Sequence, residues 1–245
     1  MSEISGQVET SLSLREYVRQ EFVALKSFVL NPRRGRPQNI SRRGYWKRLL
    51  FLFVLDLSAG FSLLFFFHQF SSFDDLEYGP DLSKLGVAIF AVFIGPPIEE
   101  CIFRLGLRNF RYSLLIGPAI VAAFLGSWEV LLALVLVLSL EAAYLQFKLS
   151  RSAQQNLGFR FHIRRQFIQS YKWVFWLWAI AFSLVHITNY EINKPSDWVV
   201  IFAVLPQLFG GIILGYVRLR MNTGAAIVLH MAANASALAI LMALP

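Results

Sequence analysis

The sequence predicts an all-α protein, a polytopic transmembrane bundle of about seven helices, and three observations predict it. Of 245 residues, 56% are hydrophobic and only 16% are charged, where a soluble domain carries about a quarter charged residues. Apolar stretches of roughly 20 residues recur, the length that spans a ~30 Å hydrocarbon core at ~1.5 Å per residue. Basic and acidic residues alternate between successive loops, as the positive-inside rule requires. A net charge of +8 taken alone would admit a nucleic acid partner. The basic residues sit beside long apolar runs, however, so the membrane reading takes precedence and no nucleic acid partner is expected. The single cysteine, Cys101, excludes an intramolecular disulfide framework and a CxxC metal site. The polar N-terminal segment shows no cleavable signal peptide.

Residues 1–48 hold ten Lys or Arg and four Glu and read as a solvated, basic cytoplasmic arm that helps to set topology. Within it, Leu14, Val18, Phe22, Leu25 and Val29 fall at helical spacing, so an interfacial amphipathic helix is expected over 10–30. Pro32, Gly35 and Pro37 end it. Residues 49–245 then form the transmembrane domain. Its expected spans are 49–67, 83–107, 173–190, 198–217 and 223–244. The apolar stretch 113–147 is too long for one crossing, and "GSWE" at 126–129 offers a turn, so it divides into 113–126 and 129–147.

The loop charges support that division. Loops 108–112 (Arg108, Arg111), 148–172 (Lys148, Arg151, Arg160, Arg164, Arg165, Lys172) and 218–222 (Arg218, Arg220) fall on the side of the N-terminus. Asp74, Asp75, Glu77, Asp81, Glu129, Glu191 and Asp197 fall on the other, with Lys84 and Lys194. Merging 113–147 into one crossing would put 108–112 or 148–172 on the wrong side. A multi-pass protein of the cell membrane, N-terminus cytoplasmic and C-terminus outside, is the expected topology.

An ionisable group at the bilayer centre costs about 2.5–3.5 kcal/mol on insertion scales, so each one needs a reason. They are Asp56, Glu99, Glu100, Arg104, Glu141, His186 and His230, with Asn234 as a polar companion. Asp56 and Glu141 stand alone and suit interhelical bonding. "GPPIEECIFR" sets Glu99, Glu100 and Arg104 on one helix after a Pro96-Pro97 break. Glu100 and Arg104 are four apart and meet on one face, which neutralises both. Glu99 points about 100° away round the helix and lacks that partner. One paired and one free carboxylate have their proton affinities pushed apart, which makes Glu99 the candidate general base. "FSLVHITN" puts Phe182 and His186 on one face. "LHMAANAS" puts His230 and Asn234 one turn apart among Ala232, Ala233 and Ala235, small residues that let a helix approach closely. Two such groups can both donate to one developing negative charge, as an oxyanion site requires. Gly211 and Gly215 form a GxxxG pair that reads as a packing device.

The ordered set Glu-Glu-x-x-x-Arg (99–104), Phe-x-x-x-His (182–186) and His-x-x-x-Asn (230–234), each in an apolar helix, resembles the CAAX-protease and bacteriocin-processing family of intramembrane proteases. That family includes the Ras-converting endopeptidases and bacterial members linked to bacteriocin self-immunity. The resemblance covers about residues 83–240. It implies that Glu99, helped by His186, activates the attacking water, that His230 and Asn234 stabilise the oxyanion, and that Glu100 and Arg104 support the site. Two departures stand out. The family's Gly directly after the motif Arg is here Leu105, with Gly106 following, so local packing is expected to differ. The stretch from Glu99 to His186 is long and holds an extra hairpin. Counted from loop edges, Glu99 falls on the inner half of its helix and His186 on the outer half of its own, an offset of order 10 Å.

The function expected is hydrolysis of peptide bonds in membrane-bound peptides or proteins, of CAAX type or of leader or bacteriocin type. A proton-coupled transporter using the Glu/His chain as a relay is the alternative from another class, although no inverted repeat is visible. A non-catalytic immunity or scaffold protein is the third reading. A thiol protease built on Cys101 is disfavoured by the adjacent acids. Glu99, His186 and His230 are also the inventory of a His₂-carboxylate zinc site. HExxH spacing is lacking, Arg104 adds positive charge, and Asn234 is a poor zinc ligand, so no cofactor is favoured and zinc is the alternative. The oligomeric state is left open.

Overall fold

The computed structural model describes residues 13–35, 37, 38, 40–69, 77–108, 140, 144, 157–191 and 199–243. The described residues are helical apart from turns, linkers and one short strand pair. Five described helical segments are long and apolar enough to cross a membrane: Arg42–Phe67, Leu85–Arg104, Tyr171–Asn189, Val200–Arg220 and Thr223–Ile240. They coincide with the five separate spans expected from hydropathy. The two further helices expected at 113–126 and 129–147, with Glu129 and Glu141, lie outside the described residues.

Helix α1 (Leu14–Leu30) starts in a capping box. The Ser13 backbone N–H donates to Glu16 Oε2 at 3.0 Å, and the Glu16 N–H donates to Ser13 Oγ at 3.3 Å, so two orphan donors are satisfied at once. Contact with the Ser13 hydroxyl and N–H holds the Glu16 carboxyl below the usual carboxylate range. Helix α2 (Arg42–His68) is capped by Ser41, whose Oγ accepts from the Gly44 N–H at 3.1 Å. The solvated-arm expectation is corrected here, because α1 turns Glu21, Leu25 and Phe28 into the bundle. Phe28 meets Phe175 and Tyr216 edge-on, at 4.9 and 5.1 Å between ring centroids. Glu21 accepts from Arg48 Nε at 2.9 and 3.0 Å, and Gln38 also accepts from Arg48. Burying both partners together is what allows two charged residues into this position. A charge count over 1–48 cannot see that compensation.

The segment after the strand β1 (Glu77–Tyr78) forms α3 (Leu85–Ile89), a π-turn (Phe90–Ile94) and α4 (Gly95–Arg104) without interruption. Pro96 and Pro97 lack the N–H groups that the carbonyls of Val92 and Phe93 would receive in an α-helix. The ladder widens instead, and the Gly95 N–H reaches the Phe90 carbonyl, five residues back. Gly is needed there, since a Cβ at 95 would stand 3.2 Å from that oxygen.

Helix α5 (Leu157–Gln169) is separated from α6 (Tyr171–Val185) by Ser170 alone, and a 3₁₀ turn (His186–Asn189) follows α6. Strand β2 (Tyr190–Glu191) pairs antiparallel with β1, Tyr78 opposite Tyr190. The chain just after His186 is thereby tied to the chain that enters α3. A short turn of helix, α7 (Val200–Ala203), leads into α8 (Leu205–Arg220), which has Pro206 in its first turn. Helix α9 (Thr223–Ala243) begins where Asn222 Oδ1 accepts from the Ala225 N–H at 2.8 Å.

Helix α8 is the central post, packed most extensively against α2 and α6 and then against α9, while α9 also touches α2 and α4. Its Ile213, Val217 and Leu219 are fully buried. Gly211 and Gly215 are packing positions: a Cβ would come within 3.0 Å of Phe182 and 2.7 Å of Phe175 on α6. Gly106 does the same service between α4 and α6, where an added Cβ would lie 2.5 Å from the Trp178 indole.

Candidate functional site

Five of the six expected site residues converge between α4, the end of α6, and α9. Glu100 is fully buried and Arg104 is 2% exposed, an (i, i+4) pair with Arg104 Nε 3.6 Å from Glu100 Oε1. The guanidinium also lies flat over Phe182, 3.8 Å from the ring centroid, a desolvated cation–π contact. Glu100 Oε1 meets His230 Nδ1 at 3.1 Å. A carboxylate only accepts, so Nδ1 donates and Nε2 becomes the atom turned outward. That Nε2 faces Glu99 Oε2 at 3.6 Å.

His186 closes the other side. Its Nδ1 lies 2.7 Å from the Phe182 carbonyl, an acceptor, so Nδ1 carries the proton and Nε2 is left free. This Nε2 faces the same Glu99 Oε2 at 3.9 Å. Phe182 packs against both imidazoles, 4.7 Å from His186 and 5.7 Å from His230 by ring centroids. One aromatic side chain thus spaces both histidines and supports Arg104.

The expected axial offset between Glu99 and His186 is overturned. Contacts run in opposite senses along the two helices: Tyr171 Oη donates to the Leu107 carbonyl at 2.8 Å, Trp178 sits at Gly106, and Phe182 meets Phe103 at 5.4 Å. Helices α4 and α6 are therefore antiparallel. Side chains lean toward the N-terminus of their own helix, so Glu99 and His186 lean toward each other. Helix α6 also begins at Tyr171, earlier than the expected 173.

Asn234 sits one turn beyond His230, but its Nδ2 donates to the Ala91 carbonyl at 2.8 Å, inside the π-turn. The expected simple pair of free donors is corrected to this: His230 faces Glu99, while Asn234 clamps α9 to the widened turn and keeps its second N–H. The sequence reading missed the π-turn as part of the site. Its signal was present in Gly95-Pro96-Pro97, separated from the acids by Ile98 alone. Asp56, read as standing alone, approaches α8 where Gly210 has no side chain; a Cβ there would be 3.3 Å from Asp56 Oδ1.

Among the described residues no group of three or more His, Cys, Asp or Glu is arranged to hold a metal ion. The chain matches no protein-family model, no curated protein and no solved structure. Its chemistry therefore rests on the geometry: an acid with an unbonded oxygen, two imidazole nitrogens aimed at that oxygen, and a buried ion pair holding one of them.

Proposed function

We propose that this chain is an intramembrane endopeptidase of the glutamate type, related to the CAAX-protease and bacteriocin-processing family, acting on membrane-associated peptides or proteins. The observation that carries the proposal is the shared focus of two imidazoles on one carboxylate oxygen: His230 Nε2 at 3.6 Å and His186 Nε2 at 3.9 Å from Glu99 Oε2. Both distances exceed a direct hydrogen bond and suit a water held between them. Glu99 takes a proton from that water while His186 Nε2 accepts its second hydrogen bond. The hydroxide adds to the scissile carbonyl, and Glu99 returns the proton to the departing amine. His230, held at Nδ1 by Glu100, turns Nε2 toward the oxyanion as a hydrogen-bond donor. Asn234 adds its second N–H, and Arg104 holds Glu100 in place.

The mechanism is metal-free in this reading, supported by the Arg104 cation beside the carboxylates. Zinc held by Glu99, His186 and His230 is the competing mechanism. Seven crossings in the cell membrane, with the N-terminus cytoplasmic, complete the proposal, supported by the loop charges. The test compares protein termini in cells carrying the intact chain and the Glu99→Gln variant. New termini in membrane proteins should appear only with the intact chain. The substitution keeps shape and removes the base, so turnover should drop by about 10²–10⁴-fold, with insertion and yield unchanged. Near-normal cleavage by Glu99→Gln would remove Glu99 from the chemistry.

A further inference from the structure

A second site lies away from the carboxylates, at the end of the bundle where α4 stops, α6 starts and α8 finishes. There the linker after α1 arches over a cavity of about 680 Å³, and five of its lining residues are cations: Arg33, Arg34, Arg108, Arg164 and Lys172. None of the five has a carboxylate partner among the described residues. Among the described residues, the Lys and Arg side chains in ion pairs are instead Arg48 with Glu21, Arg104 with Glu100, and Lys84 with Asp81. Like charges gathered round one concavity repel, and an anion is the partner that relieves this.

The cavity is built rather than incidental. Arg108, half-buried at its floor, donates from Nε and Nη2 to the carbonyls of Arg218 and Leu219. Those carbonyls close the C-terminal turn of α8, so the cation is held by groups that favour positive charge. Burial and the neighbouring Arg34 depress the Arg108 pKa, the sense in which an incoming anion is welcomed. Tyr171 forms a wall, fixed by its bond to Leu107. Arg33, Arg34, Arg164 and Lys172 stand exposed at the rim.

The position selects the ligand. Three candidate spans end here, at Arg104, Tyr171 and Arg220, which puts the cavity at the depth of lipid headgroups. Trp173, adjacent to Lys172, is exposed, as are aromatic residues that mark a membrane interface. Basic pockets at the ends of transmembrane helices receive phosphate headgroups. The geometry points to a phosphate-binding site in this cavity, which takes the phosphate of an anionic phospholipid headgroup or a free phosphate.

The test uses the full chain purified in detergent, with native mass spectrometry and thermal unfolding. Its arms are dioleoyl phosphatidylglycerol, dioleoyl phosphatidylcholine and inorganic phosphate, each against the intact chain and an R34Q/R164Q/K172Q variant. Retention of phosphatidylglycerol over phosphatidylcholine, weakened at least about 10-fold in the variant, is expected if the source is lipid. Protection by inorganic phosphate with the same loss in the variant supports the site with a free phosphate as its source. The three altered side chains are exposed, so the ligand-free unfolding temperature of the variant should match the intact chain. No preference among the three probes, or binding equal in both proteins, overturns the proposal. An unfolding temperature lowered without ligand moves the measurement to R34Q/K172Q, judged by the same outcomes.

Discussion

Replacing Arg104 by Gln tests whether the buried ion pair holds the site together. The guanidinium is 2% exposed by side-chain area and Glu100 is 0% exposed, with Nε and Oε1 3.6 Å apart. Removing one partner of such a pair leaves an uncompensated buried charge, at a cost of about 3–5 kcal/mol. The lower end applies here, because His230 Nδ1 remains on Glu100 Oε1 at 3.1 Å. The lost contact with the Phe182 ring adds to the cost and keeps it from falling below that range. At roughly 2–4 °C per kcal/mol for a chain of this size, Arg104→Gln should unfold about 6–12 °C lower. Replacing Glu100 by Gln in the same chain removes the stranded charge, so the double variant should recover about 1 kcal/mol or more of that loss. The assay is unfolding of the full chain in detergent micelles, followed by tryptophan fluorescence. Strictly additive losses in the double variant would refute the coupling of Glu100 to Arg104 and the support it lends His230.

The remaining predictions follow from other contacts. Gly106→Ala places a methyl 2.5 Å from Trp178, so overpacking should cost about 1–3 kcal/mol in the same unfolding assay; a neutral outcome would mean that α4 and α6 are not so close. Glu21→Gln strands Arg48 and should free α1 before the rest of the bundle unfolds. Hydrogen exchange over residues 14–30 should then quicken while α8 keeps its protection. If the chain is the proposed endopeptidase, prolonged treatment with a strong chelator should leave turnover unchanged. Loss that stoichiometric zinc restores would make His186 and His230 metal ligands. If His230 has the proposed oxyanion role, His230→Ala should lower kcat more than it raises KM, because that contact would strengthen only as the oxyanion forms.

Much of the candidate site was legible as spacing. Glu100 and Arg104 at (i, i+4) must share a face whatever surrounds them, and so must His230 and Asn234. The five described spans were legible for a related reason: the bilayer imposes a length and a polarity that any 20-residue stretch either meets or fails. Glycines 211 and 215 announced a close helix approach, although the rings of Phe182 and Phe175 that fill it come from a distant part of the chain. The presence of acids and imidazoles within apolar spans was likewise legible, since each is costly enough to need a reason.

The sequence by itself thus determined the described helices long and apolar enough to cross a membrane, the pairing of charges within a helix, and the inventory of candidate site residues. Only the tertiary structure decided which groups meet. The loop charges already set these two spans antiparallel; Glu99 reaches His186 because the axial shift between α4 and α6 brings their leaning side chains together. Asn234 spends one N–H on Ala91 because two prolines widen the turn before Glu99, a rearrangement of the backbone ladder that no periodicity reports. The basic arm docks because Glu21 finds Arg48 beyond a proline-containing linker. Hydropathy and helical period are properties of neighbouring residues, whereas contact between helices depends on kink, depth and rotation, and these are settled only when the whole bundle packs.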